Sequence, residues 1–147
     1  MHPRSKTYAT WIALIGGSLG LHRFYLYGFT DRWGWLFAPP TLLGLYGVQR
    51  LREYGQDDRL SWLLLPLLGL MLAGAMLTAI VYGLTPDEKW AERHHPQLGT
   101  RPSGWGAVIG VIVALMVGAA VLMATVAFSG QRFFEYQLAA VAAPPLT

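Results

Sequence analysis

The sequence predicts an all-α polytopic membrane protein with about four transmembrane helices, the second short and proline-broken. Three observations predict it. Only 13% of the 147 residues are charged and 54% are hydrophobic, whereas about 25% of an ordinary soluble domain is charged. Residues 60–83 and 105–129 contain no Asp, Glu, Lys, Arg or His, and each is long enough to cross hydrocarbon. The remaining charges gather in short polar stretches between apolar runs, the layout of a chain that threads a bilayer. The formal net charge of +3 is small, and its Lys and Arg are dispersed rather than clustered, which argues against nucleic-acid binding. The chain has no cysteine, excluding disulfides, thiolate metal sites and a Cys nucleophile.

The basic start MHPRSK and the apolar run after it resemble a signal peptide. The run carries Gly16, Gly17 and Gly20 and ends in HRFYLY without a small-residue cleavage site, so it reads as a retained first helix. Residues 8–21 are uncharged; counted through Tyr27 the segment is long enough to span. His22 and Arg23 then fall in its last turns, where Arg can reach terminal carbonyls and lipid phosphates. Small residues recur four apart as Ala9, Ala13 and Gly17 and as Gly16 and Gly20, a spacing that lets helix backbones approach closely in lipid.

The second apolar segment, residues 33–48, has Pro39-Pro40 at its centre. Proline removes a helix hydrogen bond and pushes the residue before it out of the α region. The expected result is an interfacial piece over 31–38 and a helix beginning near Pro40 and leaving the membrane at Arg50. Residues 50–59 read as a solvated loop. The third helix, 60–83, covers about 36 Å at 1.5 Å per residue, with a kink at Pro66 and Trp62 and Tyr82 as interfacial anchors. Thr85 is expected to cap a short helix with Pro86 at its first position and Asp87 and Glu88 in its first turn. In the fourth helix, 105–129, Gly106, Gly110, Ala114 and Gly118 form a small-residue stripe that predicts a helix–helix contact. Residues 131–138, QRFFEYQL, suit an interfacial extension, and the AAVAAPPLT end reads as frayed. The units are therefore a helical hairpin domain at 1–55, a third helix at 56–83, a polar loop at 84–104, and a fourth helix with its tail at 105–147.

With four spans, the N-terminus, the 50–59 loop and the tail share one side. They hold Arg4, Lys6, Arg50, Arg52, Arg59 and Arg132. The other side holds Arg23, Arg32, Lys89, Arg93 and Arg101. Six against five barely favours cytoplasmic termini, and both termini are expected there.

The stretch GGSLGLHRFYLYG at 16–28 resembles the signature of the two-transmembrane-helix (TM-two) domain family. Gly17, Gly20, His22, Arg23, Phe24, Tyr25, Leu26 and Gly28 carry the resemblance, which covers about residues 6–55. The whole chain is similar to bacterial NINE-type membrane proteins, in which two further helices follow the domain. The resemblance implies a multi-pass protein of the bacterial inner membrane and no settled catalytic activity. The chain departs from the family where the second helix ends in LYGVQRLRE, with no Asp before Asp57, and in its double proline.

Arg23 presents a guanidinium suited to a phosphate or a carboxylate, or to anchoring the turn with Phe24, Tyr25 and Tyr27. His94, His95 and Glu92 are the nearest approach to a metal cluster, and adjacent histidines before a proline read as a plain loop. No nucleophile elbow, zinc-protease or phosphate-loop motif is present. The expected function is a non-catalytic helix-packing or partner-interaction module, with no cofactor and no metal. Its expected partners are membrane lipid and another membrane protein or a second copy. The alternative is a small carrier or lipid-handling protein that binds an anionic headgroup or solute through Arg23.

Overall fold

The structure, a computed structural model, describes residues 4–142. They form α1 (Lys6–Gly16), a 3-10 turn (Gly17–Leu19), α2 (Leu21–Tyr27), α3 (Arg32–Trp35), α4 (Ala38–Tyr54), α5 (Arg59–Leu84), α6 (Asp87–His94) and α7 (Trp105–Ala142), with no strand among them. Two helices, α5 and α7, are long and apolar enough to cross a membrane. Both turn large apolar side chains outward, among them Leu63, Leu77, Met116 and Met123. Residues 143–147, where the sequence suggests fraying, lie outside the described residues, and 139–142 continue α7.

α5 is the hub. α4 lies antiparallel to it, with Gly44 against Leu68 and Gly47 against Leu64. α7 also runs antiparallel to α5, with Gly83 against Val111, Met76 against Gly118 and Gly69 against Thr125. At each of these approaches one partner is a glycine, whose missing side chain lets the two helices come close. α1 fits between α5 and α7: Ala13, Met76, Ala79 and Ala114 form one sealed cluster.

The first expected span does not form. α1 stops at Gly16, the 3-10 turn follows, and α2 runs back towards the start of α1. Leu26 packs on Ala9 and Trp90, and the Tyr25 hydroxyl accepts a hydrogen bond from the Ser5 N–H. Eleven residues of α1 cover only about 16 Å. Gly17, at the tip, lies against Ala75, nine residues from the end of α5 and so about 14 Å deep along it. The reason is local. Gly20 takes φ +79°, with its Cα facing the Gly34 backbone, a left-handed step that ends one helix and redirects the next.

The double proline acts as the sequence suggests: Pro39 and Pro40 occupy the first turn of α4, where missing N–H groups cost least. α3 and α4 then follow one another from Asp31 to Tyr54. Pro86, not Thr85, occupies the N-cap of α6, and Thr85 terminates α5 instead. Tyr82 is no outward anchor; its ring packs edge-on against His22 and Trp90.

The sidedness also differs from expectation. Lys6 bonds the Thr85 carbonyl and Asp87, placing the described N-terminal residues beside α6 and the start of α7. Arg132, near the other end of α7, donates to Gln56. The N-terminal end therefore lies opposite the 50–59 loop and the tail, because the first helix doubles back instead of crossing.

Candidate functional site

The residues that carry the family resemblance converge on the α1–α2 hairpin. His22 is 3% exposed and stands between Phe37 at 5.6 Å and Tyr82 at 5.9 Å, with no hydrogen-bond partner at Nδ1. Phe24 covers Gly34 and meets the rings of Phe29 and Trp35. Gly17 makes the close approach to α5, and Gly20 forms the reversal. Gly28 ends α2 with φ +86°.

Arg23 is not a free anchor. Its Nε donates to Asp31 at 2.6 Å, and its guanidinium lies 5.1 Å over the Tyr27 ring. Asp31 also caps α3 by accepting from the Trp33 N–H. The partner is a carboxylate only eight residues on, in a stretch expected to be interfacial.

The same device occurs again at the other end of α4. Arg50 forks onto Asp58 with both bonds at 2.9 Å, and its guanidinium lies 4.7 Å over Tyr54. Gly55 follows with φ +79°, and Asp58 caps α5 by accepting from the Ser61 N–H. Gly28 and Gly55 both combine positive φ with extended ψ, a conformation open essentially to glycine alone. The Trp35 indole donates to the Phe29 carbonyl, and the Trp62 indole donates to the Gln56 carbonyl.

These parallels reflect one spacing in the sequence. Gly17, Gly20, Arg23, Tyr27, Gly28, Asp31, Arg32, Trp35, Leu36 and Pro39 recur 27 residues later as Gly44, Gly47, Arg50, Tyr54, Gly55, Asp58, Arg59, Trp62, Leu63 and Pro66. The repeat sets an Arg and an Asp eight residues apart in both copies, the sequence signal that points to the two pairs. It also shows that Asp57-Asp58-Arg59 is more than a solvated loop. Hydrogen bonds from Arg50, then from Ser61, hold the Asp58 carboxyl well below the usual carboxylate range.

The predicted small-residue stripe faces its own chain. Gly106 lies against Thr7, Gly110 against Thr10 and Trp11, and Gly118 against Met76, while Ala114 is fully buried. The Trp11 indole donates to the Gly106 carbonyl, tying α1 to the start of α7. His94 stacks on Trp90 at 4.2 Å, and no group of three potential metal-ligating side chains is found among the described residues. Comparison with protein-family models, with curated proteins and with solved structures returns no match.

Proposed function

We propose that the chain is an integral membrane protein of three crossings, α3–α4, α5 and α7, with α1–α2 as a re-entrant hairpin, and that it works by helix packing and partner contact rather than by catalysis. The observation that carries this reading is the repeated Arg–Tyr–Gly–Asp turn. Between its two copies, α3 and α4 run over residues 32–54, about 35 Å at a helical rise and enough to cross the hydrocarbon core. Successive turns therefore fall on opposite faces, each fastening one helix end to the next helix start. Arg23 with Asp31 and Arg50 with Asp58 are already paired within the chain, which favours a structural role over a catalytic one. The outward Leu and Met side chains of α5 and α7 suit lipid.

With three crossings, Arg4, Lys6, Arg23, Arg32, Lys89, Arg93 and Arg101 share one face, and Arg50, Arg52, Arg59 and Arg132 share the other. Seven against four favours a cytoplasmic N-terminal face and puts the tail outside. The resemblance of residues 16–28 to the TM-two family supports the bacterial inner membrane as the location. The alternative role for Arg23, holding an anionic headgroup, requires its pair with Asp31 to open. It predicts that Arg23→Gln lowers lipid binding while the fold persists.

The topology is tested with single cysteines in this cysteine-free chain. Gln56→Cys and Gln137→Cys should react with an impermeant maleimide from one side of sealed cells, and Gln97→Cys only after permeabilisation. Reaction of Ser5→Cys and Gln56→Cys from the same side refutes the three-crossing arrangement, which puts the N-terminal end and the 50–59 loop on opposite faces.

A further inference from the structure

At the N-terminal face, a cleft of about 200 Å³ lies among the arm before α1, α6 and the loop that enters α7. Arg4, Lys6, His95 and Arg101 line it, and Asp87 is the one carboxylate among its lining residues. Asp87 is fully engaged. It receives Lys6 Nζ at 2.6 Å, the Ser103 N–H at 2.9 Å and the Ser103 hydroxyl at 2.7 Å. Burial alone raises its pKa, but these donors outweigh that and hold its carboxyl below the ordinary range. Lys6 is neutralised by the same contact. Arg4 and Arg101 make no ion pair among the described residues, so the cleft keeps two uncompensated guanidinium groups.

The walls that carry them are fixed by contacts distant in sequence. The Arg4 carbonyl accepts from the Trp90 indole at 2.9 Å, and the next residue donates its N–H to Tyr25. Arg101 lies two residues before Ser103, which Asp87 holds by both backbone and side chain. α1 and α7 both begin at this cleft, their positive ends set against the negative ends of α5 and α6, which finish beside it. A guanidinium binds a phosphate or a carboxylate through paired, charge-assisted N–H···O bonds, and the additional terminal oxygens of a phosphate let it take two guanidinium groups at once.

We propose that this cleft binds a phosphate group, presented either by an anionic lipid headgroup at the membrane face or by a free phosphate in solution. The cleft is defined by contacts within the chain and does not depend on the number of crossings. It also lies apart from Arg23, whose guanidinium is occupied by Asp31.

The test uses the full chain. Binding of inorganic phosphate is measured calorimetrically in phosphatidylcholine nanodiscs, and retention of phosphatidylglycerol over phosphatidylcholine is measured by native mass spectrometry. The variants are Arg4→Gln with Arg101→Gln, and Arg52→Gln as a control for loss of an exposed arginine on the far face. Arg4 and Arg101 donate no side-chain hydrogen bond among the described residues, so the double variant should keep wild-type helicity. It should lose about tenfold or more in affinity for at least one probe, as expected for removing charge-assisted hydrogen bonds, while Arg52→Gln stays at wild-type level. Loss confined to phosphatidylglycerol identifies the lipid headgroup, and loss of inorganic phosphate binding identifies a solute site. Wild-type affinity in the double variant, an equal loss in Arg52→Gln, or no preference of the wild type for either probe overturns the proposal.

Discussion

Ala114→Leu and Ala120→Leu make the same chemical change on the same helix, six residues apart, at sites with opposite surroundings. Ala114 is 0% exposed, enclosed by Ala13, Met76 and Ala79 where α1, α5 and α7 meet. Ala120 is exposed on the outer face. Both substitutions change helix propensity equally, and both leave the added methyl groups in an apolar environment. Only packing distinguishes them. The three added carbons at Ala114 have no space, and α1 cannot easily move away. Gly110 already meets Thr10 one turn earlier, and Gly17 meets Ala75 on the other flank. Overpacking of this kind costs about 1–3 kcal/mol, roughly 5- to 150-fold in the folding equilibrium. The assay is reversible unfolding in mixed micelles of increasing SDS, followed by tryptophan fluorescence. A second readout is disulfide formation between Thr7→Cys and Gly106→Cys, which sit in direct contact. Ala114→Leu should lower both unfolding midpoint and crosslink yield, and Ala120→Leu should change neither. Equal effects of the two substitutions refute the three-helix contact as the source of stability.

Gly20→Ala combines a left-handed φ with a Cβ directed at the Gly34 backbone and should cost about 2 kcal/mol or more. Gly28→Ala meets nothing within 4 Å and should cost backbone strain alone, so both should speed the hairpin's hydrogen exchange but only Gly20→Ala should disturb its contact with α3. Acid should weaken the Arg50–Asp58 turn in a defined direction. The folded carboxyl is depressed by its donors, so its contribution is complete above the unfolded value of about 3.9 and is lost as pH falls through the folded value. Unfolding midpoints measured from pH 6 down to pH 2 should fall in the wild type and depend less on pH in Asp58→Asn.

Much of the helical content was legible because its causes are local. Twenty-four uncharged residues at 60–83 allow one outcome, and Pro39-Pro40 allows a helix to start but not to continue. The stripe at Gly106, Gly110, Ala114 and Gly118 was legible as a packing face, while its partner was not. Small residues state that a backbone comes close but carry no information on which one. Arg23–Asp31 and Arg50–Asp58 were missed for a different reason. Each residue alone suits a solvated loop, and only the identical spacing of two copies shows that the turn needs all of its members together.

The course of residues 6–27 was the harder problem, because hydropathy measures whether a segment tolerates hydrocarbon and not whether it crosses. A non-helical backbone inside a bilayer is tolerated only where protein covers it and satisfies its polar groups. The 3-10 turn meets that condition. Gly17 is buried against α5, Ser18 is 8% exposed, and the Ser18 carbonyl accepts the hydroxyl of Thr41 from α4. Thr41 is itself 3% exposed and belongs to the first turn after the double proline. The proline break and the hairpin tip are therefore one solution. The break lets α4 begin at the depth of the tip, and Thr41 there supplies the hydrogen bond that an isolated turn in hydrocarbon would lack. Thr41→Val keeps the shape and removes that donor. It should loosen the hairpin while leaving the α5–α7 contact intact, and the Thr7–Gly106 and Gly69–Thr125 cysteine pairs separate the two effects: the first should weaken and the second should hold. Equal crosslinking in wild type and Thr41→Val would show that the tip is held by its glycine packing alone.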